Sequence, residues 1–419
     1  MISDFRPAKK SAKSLRQTVT KTPTAPDEQS FRTPEEIAAE QILTPNEPTA
    51  NIINMNLSPS NTKKSNNKWQ KLRLSWPPGK KEWITSGILV ILLASGTSYA
   101  LLRQTAPEEP SQLVVARKEK LPTTVPSTLT GLPVEPSVNQ QTVTGVMIEN
   151  SLYARPQSGL GQAGVVFEAI AEGGITRFLA LFQDTAPESV GPIRSARPYY
   201  VSWALGFDAG YAHVGGSPEA LANIKAWKVR DLDQFANGGS YHRSSSREAP
   251  HNVYTSIAAL NKLENSKGYN TSTYSGFERK KKETPLKTPT ASTINMSISG
   301  PVYNADYTYD AATNNYKRSE GGEAHIEANT NSQISPKVVI AMVIPYSLAS
   351  DGYHSSYSNI GSGVAYIFQD GGVSVGNWTK TDNTSQIKFT DAAGNVIPLN
   401  PGQTWLTAIA AANKVTYRP

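Results

Sequence analysis

The segment Gly191–Asn252 contains three strings: G-P-I-R-S-A-R-P (191–198), A-H-V-G-G-S-P-E-A (212–220) and H-R-S-S-S-R-E-A-P-H-N (242–252). Its basic residues are interleaved with Gly, Pro and Ser, which set backbone geometry. A solvated helical face would instead carry its charges at amphipathic spacing. Two of the strings predict helix starts, because Ser195 and Ser217 are suited to cap helices and Pro218 favours a first helical position.

A site for an anionic ligand follows from these helix starts. A helix N-terminus presents unpaired N–H groups and the positive end of the helix dipole, so it attracts anions. The residues predicted to line a common site are Arg194, Arg197, His213, Ser217, Arg243, Arg247, His251 and Asn252. The alternative is that the arginines bridge loops through carbonyls and glutamates and bind no ligand.

Composition excludes several classes of function. The chain has 419 residues and a formal net charge of +7, but many of the basic residues fall within the first 82. No basic stripe on a folded face and no reader motif is evident, so we predict no nucleic-acid partner. The chain has no cysteine, which excludes disulfides, thiolate metal sites, thiol catalysis and a lipid-modified cysteine.

The first part of the chain predicts a membrane anchor. Residues 1–82 are polar and poor in apolar residues, as in a disordered tail. Residues 83–102 carry no charge, and as a helix they would be about 30 Å long, which matches the hydrocarbon core of a bilayer. Lysines concentrate before this segment, so the tail is expected in the cytoplasm and all later residues outside. Residues 103–140 are proline-rich and predict an extended linker.

Two folded domains are predicted after the linker, with an α+β fold class overall. Residues 141–278 mix strand and helix patterns, as in a mixed α/β domain. Residues 279–289 form a basic linker, and residues 290–419 contain short β-rich runs separated by turn residues. That spacing predicts a mainly antiparallel β-domain.

Local patterns place several elements in the first domain. The run from Val165 to Gln183 predicts a hairpin, because β-rich stretches flank the pair Gly173–Gly174. Residues 142–150 and 208–214 predict strands. Helices are expected over Pro218–Trp227 and over Ser256–Lys267, whose apolar residues recur at helical spacing.

Acid–base chemistry is the main catalytic alternative. The acidic candidates are Glu149, Glu168, Glu172, Glu219 and Glu248, and the weak catalytic candidates are Glu168, Glu172 and His213. The competing interpretation is that these glutamates pair with Arg177 or another arginine. The histidines lack the spacing of metal ligands, so we predict no metal and no cofactor. Ser217 lies in G-G-S-P, where a following proline suits a helix cap better than a nucleophile.

Several long strings resemble a known family. V-M-I-E-N-S-L-Y-A-R-P-Q-S-G-L, F-E-A-I-A-E-G-G-I-T-R-F-L-A-L-F, V-G-P-I-R-S-A-R-P-Y-Y, H-V-G-G-S-P-E-A-L and R-E-A-P-H-N-V-Y-T are similar to the YerB family of bacterial envelope proteins, as are the later G-N-W-T-K and L-N-P-G-Q-T-W. The resemblance covers roughly residues 144–409. It implies an α/β-type first domain and a smaller second domain, in lipoproteins without an assigned activity, and it carries no catalytic residue. The chain departs from the family pattern at its start, because it lacks the cysteine that would carry the lipid.

Three functions remain open from the sequence. The first is a single-pass envelope protein whose outer part binds a polar or anionic ligand, a cell-wall component or a protein partner. The second is an enzyme that acts on the cell wall. The third is a scaffold for envelope machinery, which would tolerate changes in the arginine cluster.

Overall fold

The computed structural model of the chain describes residues 123–419. The predicted tail (1–82), the predicted transmembrane helix (83–102) and the start of the predicted linker lie outside the described residues. None of the helices within 123–419 has the length and the apolar character that a membrane span requires.

Strands dominate the described region. In chain order they are β1 (Val125–Pro126), β2 (Pro133–Val134), β3 (Thr144–Glu149), β4 (Val165–Ile170), β5 (Thr176–Phe182), β6 (Gly210–Ala212), β7 (Arg230–Asp231), β8 (His242–Arg243), β9 (Val253–Tyr254), β10 (Thr293–Met296), β11 (Ala305–Asp310), β12 (Asn315–Glu320), β13 (Glu323–Ala324), β14 (Ile326–Glu327), β15 (Ser332–Gln333), β16 (Val338–Val343), β17 (Tyr346–Leu348), β18 (Ser355–Tyr357), β19 (Gly361–Gln369), β20 (Gly372–Lys380), β21 (Lys388–Thr390), β22 (Thr404–Ile409) and β23 (Val415–Arg418). The α-helices are α1 (Pro198–Leu205), α2 (Pro218–Ala226) and α3 (Ile257–Ser266). Short 3-10 turns occupy Val138–Gln140, Leu152–Ala154, Leu160–Gln162, Gly238–Ser240, Pro301–Tyr303 and Ala412–Lys414.

One ten-stranded sheet contains strands from both predicted domains. Its order is β21-β20-β19-β16-β22-β4-β5-β3-β6-β7. The two groups of strands meet where β22 pairs in parallel with β4. A five-stranded antiparallel sheet, β13-β12-β11-β10-β23, completes the second region. The structure confirms a mixed α/β first region and a mostly antiparallel second region. The boundaries at 279–289 stay a prediction.

The predicted hairpin is confirmed. β4 and β5 pair antiparallel, and every residue of both strands is buried. The turn between them requires positive φ at two successive residues, and Gly173 (φ 56°) and Gly174 (φ 80°) supply it without the steric cost that a Cβ would bring. The full burial of these strands explains their nearly continuous apolar sequence.

Parallel strand directions define one edge of the large sheet. β3, β4, β6 and β7 all run in the same direction, so their carboxyl ends lie together, where open α/β sheets commonly bind ligands. The chain segments that lead into α1 and α2 also meet there. Ala196 pairs with Gly216, and the N–H of Ser217 donates to the carbonyl oxygen of Ala196 at 3.2 Å.

The two helix starts differ in their caps. The prediction for Ser217 is confirmed, since its hydroxyl accepts from the N–H of Ala220 at 3.3 Å and Pro218 begins α2. The prediction for Ser195 is wrong, because α1 begins at Pro198 and its N-cap is Arg197, which makes no side-chain cap hydrogen bond. Proline fixes φ at the first helical position and so places the start two residues later than a Ser195 cap requires.

Gly191, the first residue of the opening segment, permits a close backbone approach. Its φ is +150°, and a Cβ there would lie 2.8 Å from both Cδ1 of Tyr254 and the carbonyl oxygen of Val253. This approach allows Val190 to pair with Thr255 beside it. The glycine therefore joins the segment before α1 to β9, which follows the loop 242–252.

The predicted helix near Ser256 is confirmed as α3, and it carries an unexpected buried acid. Ser256 caps the helix by accepting from the N–H of Ala259, and Ile257 and Leu260 face the core. Glu264 is only 1% exposed, and its carboxyl accepts from the hydroxyl of Thr144 at 3.1 Å. Burial raises the pKa of Glu264 to about 8.

This acid predicts a pH dependence of folding stability. Between the unperturbed pKa of 4.5 and the folded value of about 8, the folded protein holds a proton that the unfolded chain has released. Stability therefore falls as the pH rises through this window, and the loss is complete above it. We expect Glu264→Gln to raise the free energy of unfolding at pH 8.5 by about 2–4 kcal/mol and to change it little at pH 4.5. Urea unfolding followed by tryptophan fluorescence measures both values.

The matched control for this prediction is Glu278→Gln, because Glu278 is exposed. It is expected to leave the pH profile of the parent protein unchanged. If the free energy of unfolding changed with pH in the same way for Glu264→Gln and the parent protein, the raised pKa of Glu264 would be contradicted.

Candidate functional site

A buried carboxylate at the end of β3 organises the surface of the carboxyl edge. Glu149 is 2% exposed. Its Oε1 lies 2.8 Å from Nδ1 of His251, and its Oε2 lies 3.5 Å from Nε of Arg194. The side chains of Arg194 and His251 reach solvent, with exposed fractions of 16% and 14%. One buried acid thus holds two basic side chains at the surface.

The contact with Glu149 fixes the orientation of the His251 ring. Because a carboxylate oxygen only accepts, Nδ1 carries a hydrogen and donates to Glu149. The other nitrogen, Nε2, makes no hydrogen bond to any residue in 123–419. Ser151 approaches the same Nδ1 at 3.3 Å, so a relay from this serine through Nε2 does not form. Burial raises the pKa of Glu149, but the hydrogen bond from His251 and the charge of Arg194 outweigh burial and hold it below its usual value.

Arg194 keeps its hydrogen-bonding capacity. Its guanidinium makes no hydrogen bond of good geometry within the described region, because the buried Nε faces only Oε2 of Glu149, as an ion pair at 3.5 Å. Beside the site, Tyr153 is 77% exposed and Leu152 is 56% exposed. The ring of Tyr153 packs against that of His251 with centroids 5.4 Å apart. The arrangement is a charged centre with an open aromatic neighbour.

In the loop that carries His251, the other residues predicted to bind a ligand form hydrogen bonds within the protein. Arg243 donates from Nη1 to Oδ1 of Asn252 at 2.7 Å. Arg247 donates from Nη2 to the carbonyl oxygen of Pro156 at 2.7 Å and from Nη1 to that of Tyr153. The interpretation that arginines bridge loops through carbonyls therefore describes Arg247, although its charge stays near the surface.

Arg197 and His213 lie behind the surface site. Both are fully buried. Arg197 is ion-paired with Glu172, which also pairs with Arg177 at 2.9 Å. His213 places Nδ1 2.7 Å from the carbonyl oxygen of Gly215 and Nε2 3.1 Å from Oδ1 of Asp231. The structure thus brings Arg194 and His251 together at the surface and encloses Arg197, His213 and the capping Ser217 in the interior.

Glu168 lies deeper, in a network between the two predicted domains. It is fully buried, and its Oε1 accepts from Nη2 of Arg318 at 2.9 Å. Its Oε2 accepts from Nε1 of Trp405 at 3.0 Å and from the hydroxyl of Thr407 at 3.3 Å. Glu168 and Glu172 are therefore paired with arginines, which agrees with the interpretation that these glutamates form ion pairs and not with their catalytic interpretation. Neither they nor His213 is placed to contact a substrate from solvent.

Arg318 extends this network into the second region. It donates from Nη1 to the hydroxyl of Tyr307 at 2.8 Å and from Nε to Nδ1 of His325 at 2.9 Å. Burial lowers the pKa of His325 well below its usual value, and the charge of Arg318 lowers it further. The other ring nitrogen of His325 then donates to Oε1 of Gln157 at 2.9 Å, so a neutral imidazole links the two regions.

Sequence reasoning missed this network and the pairing of His251 with Glu149. A signal for the network exists in β12, where Tyr316, Arg318 and Glu320 alternate with outward residues and are buried on one face. A charged pair at inward positions of a strand indicates buried partners. No comparable local signal marks His251, whose partner is 102 positions away in the chain. Among residues 123–419, no three His, Asp or Glu side chains are grouped as metal ligands.

Comparison with known proteins assigns the family. The N-terminal domain model described as "Protein of unknown function (DUF3048)" matches residues 129–270, and the C-terminal domain model matches residues 294–406. The chain belongs to the DUF3048 family. YerB of Bacillus subtilis (strain 168), named as a candidate lipoprotein, is 31% identical over 305 residues, which is 70% of this chain and 87% of YerB.

The fold agrees with this assignment. A crystal structure of the YerB protein from Bacillus subtilis matches with a TM-score of 0.64 at 29% identity, and the match covers 71% of this chain and all of that chain. These findings confirm the resemblance to the YerB family. The two DUF3048 models leave residues 271–293 between them unmatched, and the large sheet contains strands from both matched ranges.

Removal of the Glu168 carboxylate tests the interior network. Glu168→Gln removes the nearer carboxylate of buried Arg318 and leaves Glu320, at 3.5 Å, as the acid beside it, so we expect the free energy of unfolding to fall by about 2–4 kcal/mol. The double variant Glu168→Gln with Arg318→Met should recover part of the loss. Chemical unfolding of each variant measures these values.

A surface ion pair provides the matched control. Asp310 and Lys317 are 3.0 Å apart, and the lysine side chain is 51% exposed. Asp310→Asn is therefore expected to cost less than about 1 kcal/mol. A similar cost for Glu168→Gln and Asp310→Asn would show that the buried pair is not a structural constraint.

Proposed function

We propose that the described region binds an anionic ligand through Arg194 and His251, as the outer part of a bacterial envelope protein. One observation carries the proposal. Buried Glu149 positions both basic side chains at the surface, while the guanidinium of Arg194 and Nε2 of His251 make no hydrogen bond within residues 123–419. A partly buried arginine with free donors favours an external acceptor.

The chemistry of the two groups suits a carboxylate or a phosphate. A guanidinium presents donors in a planar fork that matches both anions. A histidine whose Nδ1 is hydrogen-bonded to a carboxylate presents Nε2 as a donor when the ring is protonated. The nearby charges of Arg243 and Arg247 add a favourable field, which salt screens. Because Arg197 is buried and ion-paired with Glu172, we assign direct contact with the ligand to Arg194 and not to Arg197.

The envelope location rests on two independent supports. The uncharged segment 83–102 with lysines before it predicts a single transmembrane helix with the C-terminal part outside. The name of the Bacillus subtilis relative describes a candidate lipoprotein. This chain has no cysteine to carry a lipid, so we propose that a transmembrane helix replaces the lipid as the anchor. We also propose that the ligand of the outer part is a cell-wall component.

A charge-removing variant tests the ligand site. Arg194→Gln is expected to weaken binding of polyglutamate and polyphosphate by about 10- to 100-fold, the effect of one charge-assisted hydrogen bond of about 1.5–3 kcal/mol. The remaining binding should depend less on salt, since a screened charge is lost. Titration calorimetry at two salt concentrations measures both effects.

The control for Arg194→Gln is Arg418→Gln, because Arg418 is exposed on β23 in the other sheet. It should leave both affinities within about twofold and the free energy of unfolding within about 0.5 kcal/mol. Arg194→Gln removes one ion-pair partner of buried Glu149, so a larger loss of stability is expected for it, and its binding is measured under conditions where it is fully folded. If the folded Arg194→Gln variant bound polyglutamate and polyphosphate as tightly as the parent protein does, the proposed site would be wrong.

Thiol labelling tests the orientation of the anchor. The chain has no native cysteine, so Ser60→Cys and Glu135→Cys each introduce a single thiol. In intact cells, a membrane-impermeant reagent should label the variant at position 135 and leave the variant at position 60 unlabelled until the cells are lysed. The reverse pattern would overturn the proposed topology.

A further inference from the structure

A polar cleft of about 210 Å³ lies beside the loop that carries His251. Its polar lining residues are Ser158, Ser189, His242, Ser244, Ser246, Arg247 and Tyr254. None of its lining residues is acidic. Its volume is below the roughly 300–1,000 Å³ of sites for drug-sized ligands, which favours a unit about the size of one sugar ring.

The cleft presents hydroxyl groups more than charge. The hydroxyls of Ser158 and Ser189 make no hydrogen bond within the described residues, so both can donate and accept. Ser244 and Ser246 share one hydrogen bond of 2.8 Å between their hydroxyls and keep further capacity. Arg247, the one arginine or lysine in the lining of the cleft, already donates from both Nη atoms to the carbonyl oxygens of Tyr153 and Pro156. A polyhydroxyl ligand matches this lining better than a bare anion does.

The cleft adjoins the site at Glu149. Arg247 lines the cleft and hydrogen-bonds to the carbonyl oxygen of Tyr153. The ring of Tyr153 packs against the ring of His251, which Glu149 holds. Tyr153 is 77% exposed, so one residue with an open aromatic ring contacts His251 through that ring and the arginine of the cleft through its backbone.

We propose that the cleft and the basic pair together bind neighbouring units of one acidic oligosaccharide. A sugar ring occupies the cleft, the chain passes over Tyr153, and an anionic substituent of the next unit contacts Arg194 and His251. This inference rests on the proposed function and deepens it, because it replaces a single anionic group by an extended acidic glycan. A carboxylate and a phosphate substituent both fit the basic pair.

The test compares probes that separate charge from sugar. The full chain in detergent is titrated with galacturonic acid, trigalacturonate, fully methyl-esterified trigalacturonate, a glycerol-phosphate trimer and triglutamate. The expected result is that trigalacturonate binds at least tenfold more tightly than galacturonic acid and triglutamate, and that esterification removes most of this affinity. Tighter binding of the glycerol-phosphate trimer, which has no sugar ring, than of trigalacturonate would overturn the assignment of a sugar ring to the cleft.

A pair of variants in one loop locates the second subsite. Ser246 lines the cleft, whereas its exposed neighbour Ser245 does not. Ser246→Trp should fill the cleft and reduce the advantage of trigalacturonate over galacturonic acid to less than threefold, while Ser245→Trp should preserve it. His242→Ala, a second change at the rim, should reduce the advantage several-fold without filling the cleft, which keeps the test valid if Ser246→Trp folds poorly.

The outcomes distinguish this inference from the proposed function. Equal affinity for triglutamate and trigalacturonate, unaffected by Ser246→Trp and His242→Ala but weakened by Arg194→Gln, would overturn the glycan inference and leave the anion site. Tighter binding of triglutamate would assign the surface to an acidic peptide and also overturn the inference. No effect of Arg194→Gln on any probe would overturn both.

Discussion

The buried ion pair between Glu168 and Arg318 constrains the whole arrangement. Both side chains have no exposed surface, and the desolvation of two charges is costly unless every polar atom finds a partner. Glu168 meets this condition because Arg318 satisfies one oxygen and Trp405 and Thr407 satisfy the other. The pair joins β4 to β12 and β22, so it ties the ten-stranded sheet to the five-stranded sheet. A one-residue slip of β22 would turn Trp405 away from the carboxylate, so the pair also specifies register.

A series of similar pairs leads from this interior to the surface. Glu172 holds Arg177 and Arg197 under the start of α1, and Glu149 holds Arg194 and His251 at the rim. Each of these contacts joins a buried carboxylate to basic side chains, but the basic side chains at the surface keep more N–H groups that can donate to a ligand. Burial therefore separates structural arginines from one that is suited to ligand binding, although both types occur within the same string, G-P-I-R-S-A-R-P.

Local chemistry allowed much of the fold to be predicted from the sequence. The turn at Gly173–Gly174, the cap at Ser217 and the apolar spacing in α3 each depend on residues a few positions apart. The pairing of β22 with β4 and the contact of Arg318 with Glu168 depend on residues more than 140 positions apart, and no local pattern encodes such partners. The cap at Ser195 failed for a local reason, because Pro198 competes with it for the helix start. For the site, the residue types were predictable, but burial decided which of them reach solvent.

Two acids, Glu168 and Glu320, approach Arg318 in the interior network, and their burial is not equally well compensated. Glu320 approaches the same guanidinium nitrogen of Arg318 at 3.5 Å, whereas Glu168 lies at 2.9 Å and has the stronger contact. One oxygen of Glu320 remains a buried acceptor without a partner, and burial raises the pKa of Glu320 to about 7. An acid whose folded pKa is raised holds its proton longer in the folded state, so stability falls as the pH rises toward that value. Glu264, which contacts Thr144 of β3, acts in the same direction. The two acids therefore favour the folded protein in mildly acidic surroundings, while the lowered pKa of Glu149 favours its ionised form, which holds Arg194 and His251.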